Sequence, residues 1–197
     1  EIMSQSSPSI SVIVPTLNCG RILEKSLQSI ASQDYPKELV EIVVADGGSN
    51  DSTLEVAKRF GARIFENPLK TGEAGKAVAL KNARNELVAL IDSDNFLPQK
   101  DWFLRMVEPF SDEKVIGSEP WEYTYRRQDG FITRYCALTG VNDPLVMFLG
   151  NYDRLNTLSG KWTELEIPQE DKGNYLVFRL GMGLLPTIGA NGTMLRR

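Results

Sequence analysis

The sequence predicts an α/β protein with a doubly wound, mostly parallel sheet and flanking helices. Short β-branched apolar runs alternate with stretches of helical periodicity over about the first 115 residues. Each of the main runs ends in Pro, Gly, Asn or Asp, the residue types that break strands and form turns. The chain has 197 residues, of which 42% are hydrophobic and 24% are charged. This composition is ordinary for one globular domain, so we expect a single domain over residues 1–197 with right-handed crossovers between parallel strands.

The strands are predicted from apolar runs that are too short for helices. The first run (ISVIVP) is bounded by Pro8 and Pro15, and the fourth (LVALI) ends in Asp92. Both are apolar without alternation, as in strands that are covered on both faces. The five expected strands span residues 10–15, 39–45, 63–65, 87–91 and 114–117.

The helices are predicted from apolar spacing and from capping signals. Ser52 and Glu55 have the spacing of a capping box, which predicts a helix that runs to about Phe60. The expected helices span residues 20–33, 52–60, 77–83 and 102–110, and residues 70–76 (KTGEAGK) are expected to form a glycine-rich loop. The second part is less regular, with a strand expected at 121–125, a helix at 143–149 and a strand at 175–180.

Composition excludes several classes of function. The formal net charge is -4, from 22 basic and 26 acidic residues, and this disfavours non-specific nucleic-acid binding. The chain has two cysteines and no histidine, so neither a disulfide framework nor a histidine-based triad or zinc cluster is expected. With no signal sequence or long apolar run, we expect a cytoplasmic protein, with peripheral association at the cytoplasmic face of a membrane left open.

Two carboxylates end the most apolar run of the chain. Asp92 and Asp94 follow the 87–91 strand, and ligands of open α/β sheets bind at this carboxyl end. Because a strand alternates its faces, we expect both side chains to point to the same side. Oxygen ligands of this kind suit Mg²⁺ or Mn²⁺ together with substrate phosphates. A solvated, aspartate-rich turn is the simpler alternative for this short motif.

Three further loops are expected at the same edge. Pro15 stops the first strand and exposes the backbone around Thr16. Asp46 follows the second strand, where its carboxylate can accept an N–H from a nucleobase. The loop that contains Gly72, Gly75 and Lys76 can approach a phosphate and neutralise its charge. Each loop alone is compatible with an ordinary turn, but four at one edge favour a nucleoside diphosphate site.

Four segments carry a resemblance to a known family. They are residues 11–18 (SVIVPTLN), 41–53 (EIVVADGGSNDST), 75–80 (GKAVAL) and 86–95 (ELVALIDSDN). In order and spacing they resemble the family 2 glycosyltransferases, which have the GT-A fold. Residues 189–197 (GANGTMLRR) also resemble the acceptor-side segment of that family.

The resemblance implies a GT-A type, Rossmann-like fold in which about residues 9–117 bind a nucleotide sugar. Residues 118–197 would then form a less regular acceptor-side half. The implied reaction is the transfer of a sugar, with inversion, from a UDP- or GDP-sugar in the presence of Mn²⁺ or Mg²⁺. The implied acceptor is a hydroxyl of a glycan or a lipid-linked acceptor, in glycan or polysaccharide biosynthesis.

The same resemblance assigns residues to the donor site. Asp46 would recognise the base, Asp94 would be the main metal ligand, and Asp92 would contact the ribose or the metal. Leu17 stands where many members have an aromatic residue. The complete set expected to bind the nucleotide sugar is Pro15, Thr16, Leu17, Asp46, Lys76, Asp92, Ser93 and Asp94.

The catalytic base is not assigned by the sequence. In the family it usually lies beyond a segment like 189–197, so we expect it after Arg197. Residues 121–127 are interpreted equally well as an acceptor platform or as an edge strand. Three rival functions stay open. A sugar-nucleotide nucleotidyltransferase and a phosphate-receiver domain are both disfavoured by Pro15 after the first strand. The third is a non-catalytic protein that binds sugar nucleotides.

Overall fold

The computed structural model describes residues 7–181 and 186–197, apart from the side chain of Pro144. The chain divides into two compact units. The first unit comprises the residues up to Ser118 together with Asn191–Arg197, and the second comprises Glu119–Ala190. The chain therefore leaves the first unit after Ser118 and returns to it for its last seven residues.

The regular elements of the described residues follow each other in this order. The strands are β1 (Ile10–Thr16), β2 (Val40–Asp46), β3 (Arg63–Glu66), β4 (Leu87–Leu90), β5 (Gly117–Ser118), β6 (Asn151–Asn156), β7 (Lys161–Thr163), β8 (Gln169–Asp171), β9 (Leu176–Phe178) and β10 (Met194–Arg196). The α-helices are α1 (Gly20–Ala31), α2 (Thr53–Arg59), α3 (Gly72–Asn82), α4 (Trp102–Val107), α5 (Phe131–Thr139) and α6 (Pro144–Phe148). Two 3₁₀ helices cover Lys37–Leu39 and Glu108–Ser111.

The first unit is built on one mostly parallel sheet, as the sequence predicts. Its strand order is β3-β2-β1-β4-β10-β5. Neighbouring strands from β3 to β4 are parallel, whereas β10 runs antiparallel to both β4 and β5. The five strands that precede β6 therefore all point their carboxyl ends toward one edge of the sheet.

Apolar layers cover both faces of this sheet. On one face, β1 packs through Val12 and Val14 against Leu23 and Leu27 of α1, all fully buried. On the other face, Ile13 belongs to a second buried cluster that includes Val43, Val88 and residues of α3. The absence of alternation in β1 is thus explained, because both of its faces lie in a core.

Three local expectations for the first unit are wrong. The strand expected at 114–117 is displaced, because β5 covers Gly117–Ser118. Residues 72–76 are not a loop, because α3 begins at Gly72 and the hydroxyl of Thr71 accepts the N–H of Ala74 as an N-cap. The capping box at Ser52 does not form, since the side chain of Ser52 makes no capping hydrogen bond. The carboxylate of Asp51 accepts the backbone N–H and the hydroxyl of Thr53 instead.

The second unit contains short helices and two antiparallel strand pairs, β6–β7 and β8–β9. The expected helix at 143–149 corresponds to α6, and the expected strand at 175–180 to β9. The strand expected at 121–125 is wrong, because these residues form bends and irregular backbone. Within the described parts of the chain, no helix has the length and apolar character needed to cross a bilayer.

Candidate functional site

The strand register brings the first, second and fourth loops of the sheet to one edge. Thr16 lies opposite Asp46 at the ends of β1 and β2. Beyond β4, the N–H of Ile91 donates to the carbonyl of Ile13, 3.1 Å away, so that Asp92 follows at the same edge. The sequence-based placement of Thr16, Asp46 and Asp92 at the carboxyl edge therefore agrees with the structure.

Asp46 is 4% exposed and organises the loop that follows it. One carboxylate oxygen accepts the hydroxyls of Thr16 (2.8 Å) and Ser49 (2.6 Å). The other accepts the backbone N–H groups of Gly48 (2.9 Å) and Ser49 (2.7 Å). Burial alone would raise the pKa of Asp46, but these hydrogen bonds outweigh it and hold the pKa below its usual value. An N–H of a nucleobase would thus have to bind an ionised carboxylate that already accepts four hydrogen bonds.

The loops after β1 and β2 are joined to each other. Asn18, in a left-handed conformation with φ of 48°, donates its N–H to the hydroxyl of Ser49 at 2.8 Å. Its side-chain oxygen accepts the N–H of Asn50 at 2.9 Å. Asp51 accepts the N–H of Gly20, the first residue of α1. Sequence reasoning did not assign Asp51 a role, although its position two residues before Thr53 is the spacing of an Asx turn.

Pro15 and Leu17 have different environments. A Cβ atom on Gly75 would lie 2.8 Å from the Cβ of Pro15, so α3 and β1 are in close contact at this point. Leu17 is 44% exposed, and its side chain lies beside Gly47, where an added Cβ would be 3.3 Å from the Leu17 methyl. Pro15 therefore supports α3, and Leu17 presents the apolar surface next to the Asp46 loop.

Lys76 lies on α3 beside the aspartate motif. Its ammonium nitrogen is 2.8 Å from a carboxylate oxygen of Asp92. The two side chains are 21% and 34% exposed, so the pair is only partly screened by solvent. The close packing at Gly75 fixes the position of α3. The ammonium group of Lys76 is therefore held by a helix and not by a flexible loop.

Asp92, Ser93 and Asp94 occupy a turn rather than a strand. β4 ends at Leu90, and the N–H of Asn95 donates to the carbonyl of Asp92 at 3.1 Å. The argument from strand alternation therefore does not apply to the two carboxylates. Asp92 is half-buried against Lys76, whereas Asp94 is exposed.

Asn191 is a site residue whose role was not anticipated. Its side-chain oxygen accepts the N–H of Asp92 at 3.3 Å. It reaches this position because β10 is antiparallel to β4, which places the residues just before Met194 beside those just after Leu90. The only signal in the sequence was the similarity of residues 189–197 to a family segment.

The carboxylates of the turn at residues 92–94 suit a divalent cation that also binds a substrate phosphate. In the described residues, no group of three or more acidic, cysteine or histidine side chains could hold a metal ion. The turn offers two carboxylates, and Mg²⁺ sites commonly use one or two carboxylates with waters and substrate phosphates. Lys76 contacts the carboxylate of Asp92, whereas Asp94 is exposed.

Comparisons with known proteins point in the same direction. Residues 11–163 match the model of the family described as Glycosyl transferase family 2. The chain is 29% identical to Glycosyltransferase AglE of Haloferax volcanii over 147 residues, which is 71% of this chain and 48% of that protein. It is 33% identical over 118 residues to a Methanococcus voltae protein, covering 56% of this chain and 36% of the relative. That relative is named dolichyl N-acetyl-alpha-D-glucosaminyl phosphate 3-beta-D-2,3-diacetamido-2,3-dideoxy-beta-D-glucuronosyltransferase.

A solved structure supports the same fold. It is the mannosyltransferase PcManGT from Pyrobaculum calidifontis in complex with GDP-Man and Mn²⁺, with a TM-score of 0.55 and 29% identity. The match covers 68% of this chain and 39% of that one. The architecture of the present chain is accordingly of the GT-A type. The chain spans about half the length of AglE. It covers a smaller share of the Methanococcus voltae protein and of the mannosyltransferase.

Proposed function

Because the chain belongs to glycosyltransferase family 2, we propose that it transfers a sugar from a nucleoside diphosphate donor to a glycan or lipid-linked acceptor. The donor would be a UDP- or GDP-sugar, and the transfer would invert the sugar's configuration. The bound GDP-Man and Mn²⁺ of the Pyrobaculum calidifontis enzyme support a nucleotide sugar and a divalent cation. The dolichyl phosphate in the name of the Methanococcus voltae relative supports a lipid-linked acceptor.

The single observation that carries this proposal is the ion pair of Lys76 and Asp92 beside the exposed Asp94. The ammonium group lies 2.8 Å from the carboxylate of Asp92, and Asp94 is two residues further along the same turn. A diphosphate needs positive charge on its oxygens, and a divalent cation needs hard anionic ligands. The turn at residues 92–94 and the adjacent helix α3 provide both kinds of group.

The residues of the site then divide the work. Asp94, with Asp92, would hold the cation, which supplies Lewis-acid stabilisation of the diphosphate leaving group. Lys76 would balance negative charge on the diphosphate, and Ser93 would lie beside it. Leu17 would cover one face of the base, and Asp46 would keep its loop fixed through its four hydrogen bonds or exchange one of them for a base N–H. Inversion also requires a catalytic base, which deprotonates the acceptor on the opposite face of the sugar. The residues named above do not provide this catalytic base.

Calorimetry of nucleoside diphosphates tests the proposal. GDP, UDP and ADP are titrated into the chain with and without Mn²⁺, and then into the Asp94→Ala variant. We expect one diphosphate to bind in a metal-dependent way, with affinity reduced at least about tenfold in the variant, since even partners of metal ligands contribute that much. Asp34→Ala is the matched control, because Asp34 is an exposed aspartate that follows α1 at the opposite end of the sheet.

The outcomes separate the parts of the proposal. Equal loss of binding in both variants would contradict the role of Asp94. Binding that is unchanged by chelation of the metal would contradict the cation, while leaving the diphosphate site in place. No binding of any diphosphate would contradict the donor assignment as a whole. Binding without sugar transfer to any acceptor, in the full-length protein, would favour a non-catalytic sugar-nucleotide binder.

A further inference from the structure

Lys70 has an unusual backbone conformation for a lysine. Its φ is 60°, and in the described chain Asn18 is the only other residue besides glycine with a positive φ. Asparagine tolerates this left-handed region because its short polar side chain can bond locally, whereas a lysine side chain cannot. Strain of this kind persists where the surrounding structure enforces it, often at binding sites. A glycine would be free of this strain, so the side chain of Lys70 is a candidate for a specific role.

Asn67 ties Lys70 to the end of β2. Asn67 is 2% exposed, and its backbone N–H donates to the carbonyl of Asp46 at 2.8 Å. Its own carbonyl accepts the N–H of Lys70 at 3.1 Å, and its side-chain amide donates to the carbonyl of Thr71 at 2.9 Å. The turn at residues 67–71 is thus fixed to the strand that ends in Asp46, and the backbone of Lys70 has a defined place beside it.

Lys70 and Leu17 both pack on Gly47. A Cβ atom on Gly47 would lie 3.3 Å from a methyl group of Leu17, 3.3 Å from the Cα of Lys70 and 3.5 Å from its Cβ. Lys70 is exposed, and among the residues that the structure describes its ammonium group has no ion-pair or hydrogen-bond partner. A hydrogen-bond donor is therefore available next to Leu17, which is proposed above to cover one face of the base.

The strand order places Lys70 at the base end of the proposed donor site. β2 and β4 are the two neighbours of β1, so their ends lie two strand spacings apart, about 10 Å. The turn at residues 67–71 follows β3, which lies one strand further from β4. A diphosphate held at residues 92–94 would thus lie at one side of the site and Lys70 at the other. The group of a nucleoside diphosphate that Lys70 can reach is therefore the base.

We propose that Lys70 donates a hydrogen bond to a carbonyl oxygen of the base and so selects uracil or guanine over cytosine or adenine. Uracil and guanine carry a carbonyl oxygen at the edge position where cytosine and adenine carry an amino group. An ammonium group has three donors and no acceptor, so it can bind this oxygen but offers nothing to the amino group. The inference rests on the proposed function, to which it adds the class of base and the residue that selects it.

Calorimetry with matched pairs of diphosphates tests this selectivity. UDP and CDP differ at one edge of the pyrimidine, and inosine and adenosine diphosphate differ in the same way at one edge of the purine. All four are titrated into the chain in the presence of Mn²⁺. In a pair that binds, we expect the carbonyl-bearing member to bind at least about tenfold more tightly, since a hydrogen bond from a charged donor contributes that much.

Three substitutions at Lys70 separate the ammonium group from the turn. In Lys70→Met, the carbonyl-bearing diphosphate should bind about tenfold more weakly and its amino counterpart as before, because only the first loses a hydrogen bond. Lys70→Arg keeps a charged donor and should keep the preference. Lys70→Gly removes the donor and relieves the left-handed backbone, so it should melt at a higher temperature and yet lose the preference.

Lys81→Met is the matched control, because Lys81 is an exposed lysine in the last turn of α3, at the far end of that helix. Its preference between the paired diphosphates should equal that of the unchanged chain. Diphosphate binding with the same preference in Lys70→Met and Lys70→Gly as in the unchanged chain would overturn the inference and leave the proposed function in place. No binding of any of the four diphosphates to the unchanged chain would overturn both.

Discussion

The two units differ in the side chains that they bury most completely. In the first unit the largest fully buried side chains are apolar, such as Phe103, Ile10 and Leu23. In the second unit the largest is Arg154, which is 1% exposed, while apolar side chains of α5 and α6 lie in solvent. The first unit is therefore stabilised mainly by its apolar layers. The second combines a smaller apolar cluster, which includes Val141 and Trp162, with a buried arginine, and it leaves apolar side chains in solvent.

Arg154 joins residues that are far apart in the second unit. One terminal nitrogen contacts the carboxylate of Glu119 at 2.9 Å, and the other contacts the carbonyl of Gly189 at 3.3 Å. The guanidinium also lies 5.3 Å from the centre of the Tyr123 ring. Because Glu119 and Gly189 lie at the two ends of this unit, Arg154 connects its entry to its exit.

The largest expected effect comes from removing this connection. Arg154→Met removes the cation beside the Glu119 carboxyl, whose side chain is 22% exposed. Because this carboxyl can then take up a proton, we expect a cost of about 3 kcal/mol, the lower end of the range for a broken buried pair. We expect faster hydrogen exchange in residues 119–181 and little change in β1 to β4. Arg179→Met, at an exposed arginine of the same unit, is the control. Exchange that rises equally in both units would show that they do not differ in the way described.

A smaller loss of stability is expected in the first unit, where the substitution creates a steric clash and removes no ion pair. Gly75→Ala places a methyl group 2.8 Å from Pro15, so α3 must shift away from β1 at a cost of about 1–3 kcal/mol. Gly72→Ala on the same helix meets nothing within 4 Å and should be neutral or stabilise by up to about 1 kcal/mol. Urea unfolding measures both variants. Similar values for the two would contradict the close contact of α3 with β1.

The smallest effect concerns pH. Burial raises the pKa of Glu119 to about 7, against the opposing charge of Arg154 and with a further increase from Asp153. An acid with a raised pKa holds its proton in the folded state after the unfolded state has lost it. The stability from this proton is therefore complete below the unfolded pKa near 4.5 and is lost as the pH rises through about 7.

Glu119→Gln removes this titration and reveals its contribution. Relative to the variant, the melting temperature of the unchanged chain should fall as the pH is raised from about 5 to about 8. Glu122→Gln, three residues away at an exposed site, should melt in parallel with the unchanged chain at every pH. Parallel curves for the unchanged chain and Glu119→Gln would show that the pKa of Glu119 is not raised.

The same contrast explains what could be predicted from the sequence. Strands β1 to β4 were predictable because β-branched runs between turn residues define them locally. No strand was predicted at β10, and β5 lies at Gly117–Ser118 whereas the strand was expected at 114–117. Thr16, Asp46 and Asp92 followed from their places at strand ends. The start of α3 was missed because Gly72 suggests a loop, while the Thr71 cap and the close approach of Gly75 to Pro15 depend on the folded structure.

Most of the second unit depends on contacts that no local pattern reveals. Residues 121–125 do not form a strand, and the carbonyl of Trp121 accepts the N–H of Leu155 from a distant part of the chain. The burial of Arg154 could not be inferred from its neighbours in the sequence. In the proposed donor site, the pair of Lys76 with Asp92 and the contact of Asn191 were missed for the same reason.

The position of β10 has a consequence for how the chain folds during synthesis. Strands β1 to β4 leave the ribosome early, but β10, which covers the edge of β4, is made only after the whole second unit. Until then the apolar β4 is an open edge, the kind of surface from which aggregation starts. A second unit whose ends are already held by Arg154 shortens the loop that must close before β10 can pair with β5. The folding of the second unit would thus limit how long the nascent sheet stays open. Substitutions at Arg154 would therefore lower the yield of native protein by more than the loss of equilibrium stability alone explains.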